Sequence, residues 1–89
     1  MNMSQHAQKR SQQRGVPPLI VDLLLRFGSR EHDRHGAEIC YFDHQSKKRL
    51  HSYAGSLVEK ISEQLDAYVV VAEGNVITVG KRFKRINNA

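Results

Sequence analysis

Two β-prone runs near the end of the chain constrain its fold more than any other feature of the sequence. They cover residues 67–72 and 76–83 and are rich in valine, isoleucine and aromatic side chains. The segment Glu73-Gly74-Asn75 between them has the composition of a tight turn. We therefore predict an antiparallel β-hairpin over residues 67–83.

The first 28 residues predict two helices. Residues 5–14 contain no glycine or proline, Ser4 is a suitable N-cap, and Gly15 ends the helix. A Pro-Pro pair then opens a second helix that ends at Gly28. The second helix has an apolar face with the spacing i, i+3, i+4, i+7, made of Ile20, Leu23, Leu24 and Phe27.

The middle of the chain predicts a second hairpin and a third helix. Residues 29–33 and 37–43 are the predicted strands, with a turn at residues 34–36. The third helix begins with Ser46 as its cap, and Gly55 marks a position where it can break. Its predicted apolar face consists of Leu50, Tyr53, Ala54, Leu57, Val58, Ile61 and Leu65.

The resulting order, α-α-β-β-α-β-β, predicts an α+β fold. A helical hairpin and a third helix pack on a mainly antiparallel sheet of about four strands. We expect one domain over residues 1–89, with the helical hairpin at 4–28, the β-β-α-β-β part at 29–86 and a frayed tail at 87–89. The predicted core consists of Leu23, Leu24, Phe27, Leu57, Ile61, Val69, Val71, Ile77 and Val79.

Charge indicates the class of partner. The chain has 14 Lys and Arg against 9 Asp and Glu, and the basic residues concentrate near its two ends. If the ends meet in space, they form a surface for a polyanion; alternatively, the charges only keep the protein soluble. No apolar run is long enough to span a bilayer and no secretion signal is present, so we expect a cytoplasmic protein without membrane contact.

The first predicted helix carries a cationic stripe. His6, Arg10 and Arg14 are spaced i, i+4, i+8 and so lie along one side of it, with Lys9 and Gln13 adjacent. Because these groups repel one another, a phosphate backbone is a partner that would relieve the repulsion. The alternatives are a solvated helix face or internal ion pairs with Asp22, Glu38 or Glu73.

Two further basic segments are candidates for nucleic-acid binding. The final strand ends in Lys81, Arg82, Lys84 and Arg85, which either contact phosphates or protect a sheet edge from aggregation. The third helix carries Lys47, Lys48 and Arg49 in its first turns, with His51 and Tyr53 nearby. Cations there oppose the helix dipole, which favours a phosphate-binding corner or a small tolerated surface strain.

Few residues point to catalysis. His32, Asp33, His35, Cys40 and His44 match no known zinc spacing, so we predict no metal and no cofactor. Cys40, the single cysteine, falls within a strand and is expected in the core. Metal-free RNA cleavage remains compatible with this composition, because histidine can transfer protons and arginine can stabilise phosphorane charge.

The run His6-Ala7-x-x-Arg10-x-x-x-Arg14-Gly15-Val16, followed by an apolar helix ending in Phe27-Gly28, resembles the opening of a family of small bacterial domains of unknown function. The likeness continues through strands like residues 39–43 and 76–79. In outline that family is similar to the RelE/ParE and barnase-like toxins, in which two helices pack on an antiparallel sheet. The resemblance implies a toxin-like fold, metal-free ribonuclease activity in some members, and an antitoxin partner. The site positions that it implies are His6, Arg10, Arg14 and Arg82, of which His6, Arg10 and Arg82 are the candidate catalytic residues.

Two functions therefore remain open. The first is a RelE-like module that binds or cleaves RNA and is controlled by an antitoxin-like protein. The second is a non-catalytic interaction domain that binds another protein or forms a homodimer. Convergence of the basic segments on one concave surface would favour the first, and scattered cations or a large exposed apolar patch would favour the second.

Overall fold

The computed structural model describes residues 2–33 and 35–81. The helices and strands follow the predicted order, with one short strand added at the beginning and the predicted third helix divided into shorter segments. The elements are β1 (Asn2–Met3), α1 (Gln5–Arg14), α2 (Pro18–Phe27), β2 (Ser29–His32), β3 (Ala37–Tyr41), α3 (His44–Ala54), α4 (Leu57–Lys60), a 3-10 turn (Ser62–Gln64), β4 (Ala67–Ala72) and β5 (Asn75–Lys81).

The strands form one sheet in the order β1-β5-β4-β3-β2. All neighbouring pairs are antiparallel except β1 and β5, which are parallel. The predicted α+β class and both predicted hairpins are confirmed. The sequence did not reveal β1, because two residues are too few to show an alternating pattern.

The helices cover one face of the sheet. α1 lies against β5 and β1, and α2 lies against β4 and β3. Cys40, Val69 and Val79 face each other across three neighbouring strands and are buried within this layer. They belong to one continuous core with Ile20 and Leu24 of α2. The expectation that Cys40 lies in the core is confirmed.

The predicted core is correct on α2 and β4 but wrong at two positions. Leu57 is 46% exposed because the third helix does end at Gly55, whose φ of +63° and ψ of −138° redirect the chain into α4. Ile77 is 38% exposed because a β-bulge beside Val70 and Val71 inserts an extra residue into β5. The bulge brings Val76 to the buried face in its place.

The start of α3 also differs from its predicted position. Asp43, not Ser46, is the N-cap: its carboxylate accepts from the Ser46 N–H at 2.9 Å. The Ser46 hydroxyl in turn accepts from the Asp43 N–H at 2.8 Å, which completes a capping box. Asp43 is the N-cap, and Ser46 takes position N3 of the same capping box, so both side chains form hydrogen bonds at the start of α3.

Candidate nucleic-acid interface

The cationic stripe lies on a helix that is fixed at both ends. At the start of α1, the Ser4 hydroxyl accepts from the Ala7 N–H at 3.0 Å, and the Ser4 N–H donates to the Val76 carbonyl at 2.9 Å. At its end, Gly15 adopts the left-handed conformation that terminates a helix, with φ of +67°. α1 therefore runs along β5 from Val76 towards Lys81.

Four polar side chains of α1 line a shallow depression of about 190 Å³: His6, Lys9, Arg10 and Gln13. His6 and Lys9 are exposed, and Arg10 is half-buried. No carboxylate belongs to this described lining. His6 and Arg10 thus lie beside each other on one side of α1, and Arg14 follows them, exposed, at the helix end.

The cations of α1 are not neutralised by nearby acids. The ion pairs between described residues are Arg30 with Glu38 at 3.3 Å and His32 with Glu38 at 3.5 Å. Glu38 is therefore engaged by its neighbours in the hairpin. Neither Arg10 nor Arg14 forms an ion pair with a described carboxylate, so the predicted alternative of internal pairing is wrong for this part of the chain.

The end of β5 meets the end of α1. A Cβ atom placed on Gly15 would lie 4.0 Å from the Lys81 Nζ atom. The ammonium group is thereby close to the C-terminus of α1, where the unpaired carbonyls carry partial negative charge. Lys81 therefore lies beside Gly15, the residue that follows Arg14 in the chain. The other predicted cations of this strand, Arg82, Lys84 and Arg85, lie outside the described residues.

The basic residues of α3 form a separate group. Lys47, Lys48 and Arg49 are exposed, and the Arg49 guanidinium donates to the Phe27 carbonyl at 3.1 Å. Hydrogen bonding from the Ser46 N–H, the largest cause, holds the pKa of the Asp43 carboxyl below its ordinary value. The cap thus supplies a negative charge at the N-terminus of α3, and the Ser46 N–H is not free to bind phosphate.

The two basic groups lie at opposite ends of α2. Gly15, close to Lys81, precedes α2 by three residues, and Phe27, which Arg49 contacts, ends it. A ten-residue helix is about 15 Å long. Lys81 thus lies near the end of the helix that carries His6, Arg10 and Arg14, whereas residues 47–49 lie at the other end of α2 and do not converge with them.

A larger depression of about 640 Å³ lies on the other side of α1, and sequence reasoning missed it. Its lining consists of Met3, Gln8, Ser11, Gln12, Gly15, Val16, Pro17 and Pro18. None of these side chains titrates near neutral pH, so the depression offers a binding surface but no acid or base. In the sequence, only the i, i+4 pair Gln8 and Gln12 could have pointed to this depression. The depression itself forms only where α1 meets β1 and the Pro-Pro turn.

The described residues contain no group of three or more His, Cys, Asp or Glu side chains able to hold a metal ion. Burial raises the pKa of the Cys40 thiol, which keeps it protonated and unreactive at neutral pH. In the same part of the chain, no helix is long and apolar enough to cross a membrane.

Comparison with known proteins adds no relative on which function could rest. No protein-family model matches the chain, and neither the curated proteins nor the solved structures contain a match.

Proposed function

We propose that this protein is a RelE-like module that binds single-stranded RNA, with the cationic surface of α1 as its phosphate-binding site. This surface is defined as His6, Lys9, Arg10, Gln13 and Arg14 together with Lys81. The observation that carries the proposal is a depression lined by Lys9 and Arg10, with His6 beside them, neither cation having an ion pair with a described carboxylate. The antiparallel sheet with two helices on one face is consistent with the fold that the resemblance implies.

The energetic argument starts from repulsion within α1. Arg10 and Arg14 are spaced i, i+4, and a like-charge pair at this spacing destabilises a helix by about 0.2–0.5 kcal/mol. A phosphate in the depression would replace that repulsion with charge-assisted hydrogen bonds from the Arg10 guanidinium. The half-buried position of Arg10 limits its motion, which reduces the entropy lost when it binds.

Cleavage of the bound RNA is the chemical extension of this proposal. His6 would accept the proton of the ribose 2′-hydroxyl while the 2′-oxygen attacks the adjacent phosphorus. Arg10 would stabilise the negative charge on the non-bridging oxygens, and the 5′-oxygen of the next nucleotide would leave with a proton from water, which gives a 2′,3′-cyclic phosphate. Arg82, the third candidate catalytic residue, follows Lys81 directly and would add a second cation. The reaction needs no metal ion, because protein cations perform the electrostatic role.

Salt titration of RNA binding tests the proposal. Three cations engaged with phosphates, Arg10, Arg14 and Lys81, contribute about −2 to the slope of log affinity against log salt for single-stranded RNA. Replacing Arg10 and Arg14 with glutamine should make the slope shallower by about 1.4. Lys60→Gln, an exposed cation on α4, is the matched control and should leave the slope unchanged.

Absence of RNA binding by the wild-type protein at low salt would contradict the proposal, as would equal effects of the α1 and Lys60 variants. A cleavage assay in the presence of a chelator separates catalysis from binding. His6→Ala should slow cleavage more than it weakens affinity, because a neutral imidazole contributes little to phosphate attraction.

One observation favours the alternative, a protein-interaction domain with an antitoxin-like partner or a second copy of the chain. Leu19, which is 50% exposed, directly follows Pro17 and Pro18, which line the larger depression together with the half-buried Met3. Sedimentation over a range of protein concentrations tests the homodimer. Self-association that Leu19→Gln abolishes would support it, and a concentration-independent monomer would exclude it.

A further inference from the structure

The structure presents one exposed aromatic ring beside the second basic group. Tyr53, near the end of α3, is 67% exposed. The other aromatic side chains within the described residues are buried or half-buried. An exposed tyrosine alone has no functional meaning, because single apolar residues are common on protein surfaces. The surroundings of Tyr53 carry the inference.

The Tyr53 ring contacts the last residue of α2. Its ring packs against the ring of Phe27 with a centroid distance of 4.8 Å and an interplanar angle of 43°. The Phe27 carbonyl accepts a hydrogen bond from Arg49, which lies one turn before Tyr53 on the same side of α3. One face of the tyrosine ring is thus supported by α2, while most of its surface remains open to solvent.

One cation lies beside this ring. Arg49 is its i−4 neighbour on α3 and is exposed. Proteins that bind single strands combine such cations, which contact the backbone, with aromatic rings on which unpaired bases stack. A base in a duplex is already stacked on both faces and cannot reach the ring, so this arrangement selects unpaired nucleic acid.

The distance to α1 fits a short oligonucleotide. Phe27, which contacts Tyr53, and Gly15, which lies near Lys81, are at opposite ends of α2, whose length of about 15 Å a few nucleotides of single-stranded RNA can span. The exposed stripe of α2 between them consists of Leu19, Asp22 and Arg26. Asp22 is the one acidic group on this path.

We propose that Tyr53 stacks an unpaired base of the RNA whose phosphates occupy the cationic surface of α1, with Arg49 contacting an adjacent phosphate. This inference rests on the proposed function and extends it, because it specifies single-stranded RNA with its bases present as the ligand class. Asp22 weakens binding by repelling the strand that passes along α2.

The experiment compares two ligands with equal numbers of phosphates: single-stranded oligouridine and an abasic oligomer of the same length. Tyr53→Ala should weaken oligouridine binding about 5- to 150-fold, the range that loss of one base–aromatic stack produces. Binding of the abasic oligomer and the salt slope should not change, because no charge is removed. Tyr53→Phe should retain full affinity.

Leu57→Ala is the matched control, since Leu57 is an exposed apolar side chain one turn further along the chain. Thermal unfolding monitors folding of each variant. Asp22→Asn should tighten binding about two-fold, the size expected for one screened repulsion in water, whereas Glu59→Gln on α4 should not.

The outcomes separate the two proposals. If the wild-type protein binds neither ligand at low salt, the proposed function and the stacking inference are both overturned. If it binds both ligands with the expected salt slope and Tyr53→Ala affects them equally or not at all, the stacking inference fails while phosphate binding by α1 stands. A loss of affinity in Leu57→Ala as large as in Tyr53→Ala would also overturn the role of the ring.

Discussion

α1 and α2 are both ten residues long, but they differ in how many apolar side chains they bury. α2 buries four apolar side chains, Ile20, Val21, Leu23 and Leu24. α1 buries only Ala7 and Ser11. The difference separates two tasks: α2 is held by the hydrophobic core, whereas the side chains of α1 are left available at the surface.

Polar contacts at its ends hold α1 where apolar burial is small. Ser4 caps its first turn and bonds to β5, and the Ser11 hydroxyl donates to the Val16 carbonyl in the turn that follows. Because Ser11 is buried with its hydrogen bond made, it adds little desolvation penalty. A helix can therefore remain docked while presenting mostly charged and amide side chains.

The largest expected effect concerns α2, the helix that buries an apolar face. Leu24→Ala should lower the free energy of unfolding by about 2–5 kcal/mol, because Leu24 is fully buried and its truncation leaves a cavity. Urea denaturation measures the change. A loss below about 0.5 kcal/mol, the size of an ordinary surface substitution, would show that α2 does not depend on its core face.

The next effect concerns the cap on which α1 relies. Ser4→Ala should cost about 0.5–2 kcal/mol, because it removes the acceptor for the Ala7 N–H. Ser62→Ala is the control: its hydroxyl donates to the Glu59 carbonyl near the surface and caps no N-terminal N–H. Equal costs for both variants in thermal unfolding would contradict the dependence of α1 on its cap.

A third prediction extends the comparison to α3, whose cap titrates. Hydrogen bonds lower the pKa of Asp43 below its ordinary value of 3.8 in the folded protein. The ionised cap therefore stabilises the fold fully above that value, and the contribution is lost as pH falls through the lower folded pKa. Asp43→Asn should flatten the dependence of the urea midpoint on pH below about 4. An unchanged dependence would show that this carboxylate does not contribute.

The smallest expected effect tests whether the fold depends on a charged side chain of α1. Arg10→Gln should change the free energy of unfolding by less than about 0.5 kcal/mol, since Arg10 forms no ion pair with a described carboxylate. The same variant is expected to weaken RNA binding. A loss of stability comparable to that of Leu24→Ala would instead give Arg10 a structural role.

Local sequence patterns were sufficient to predict the helices and strands in which buried side chains recur with the regular spacing of that helix or strand. The apolar spacing of α2 and the valine-rich runs of β4 and β5 predicted the helices, the hairpins and most of the core. The i, i+4, i+8 spacing of His6, Arg10 and Arg14 predicted a shared side of α1, and the first two do line one depression. These features depend on residues within two or three turns of one another.

Sequence by itself thus determined the fold class, the amphipathic character of α2 and the cationic side of α1. Tertiary structure decided the exposure of Leu57 and Ile77, the meeting of Lys81 with Gly15, and the support of Tyr53 by Phe27. Each of these depends on a change of chain direction at Gly55, a bulge in β5 or a contact between distant segments. Periodicity records only the average environment along one element, so it cannot register where an element breaks or which distant residue lies beside it.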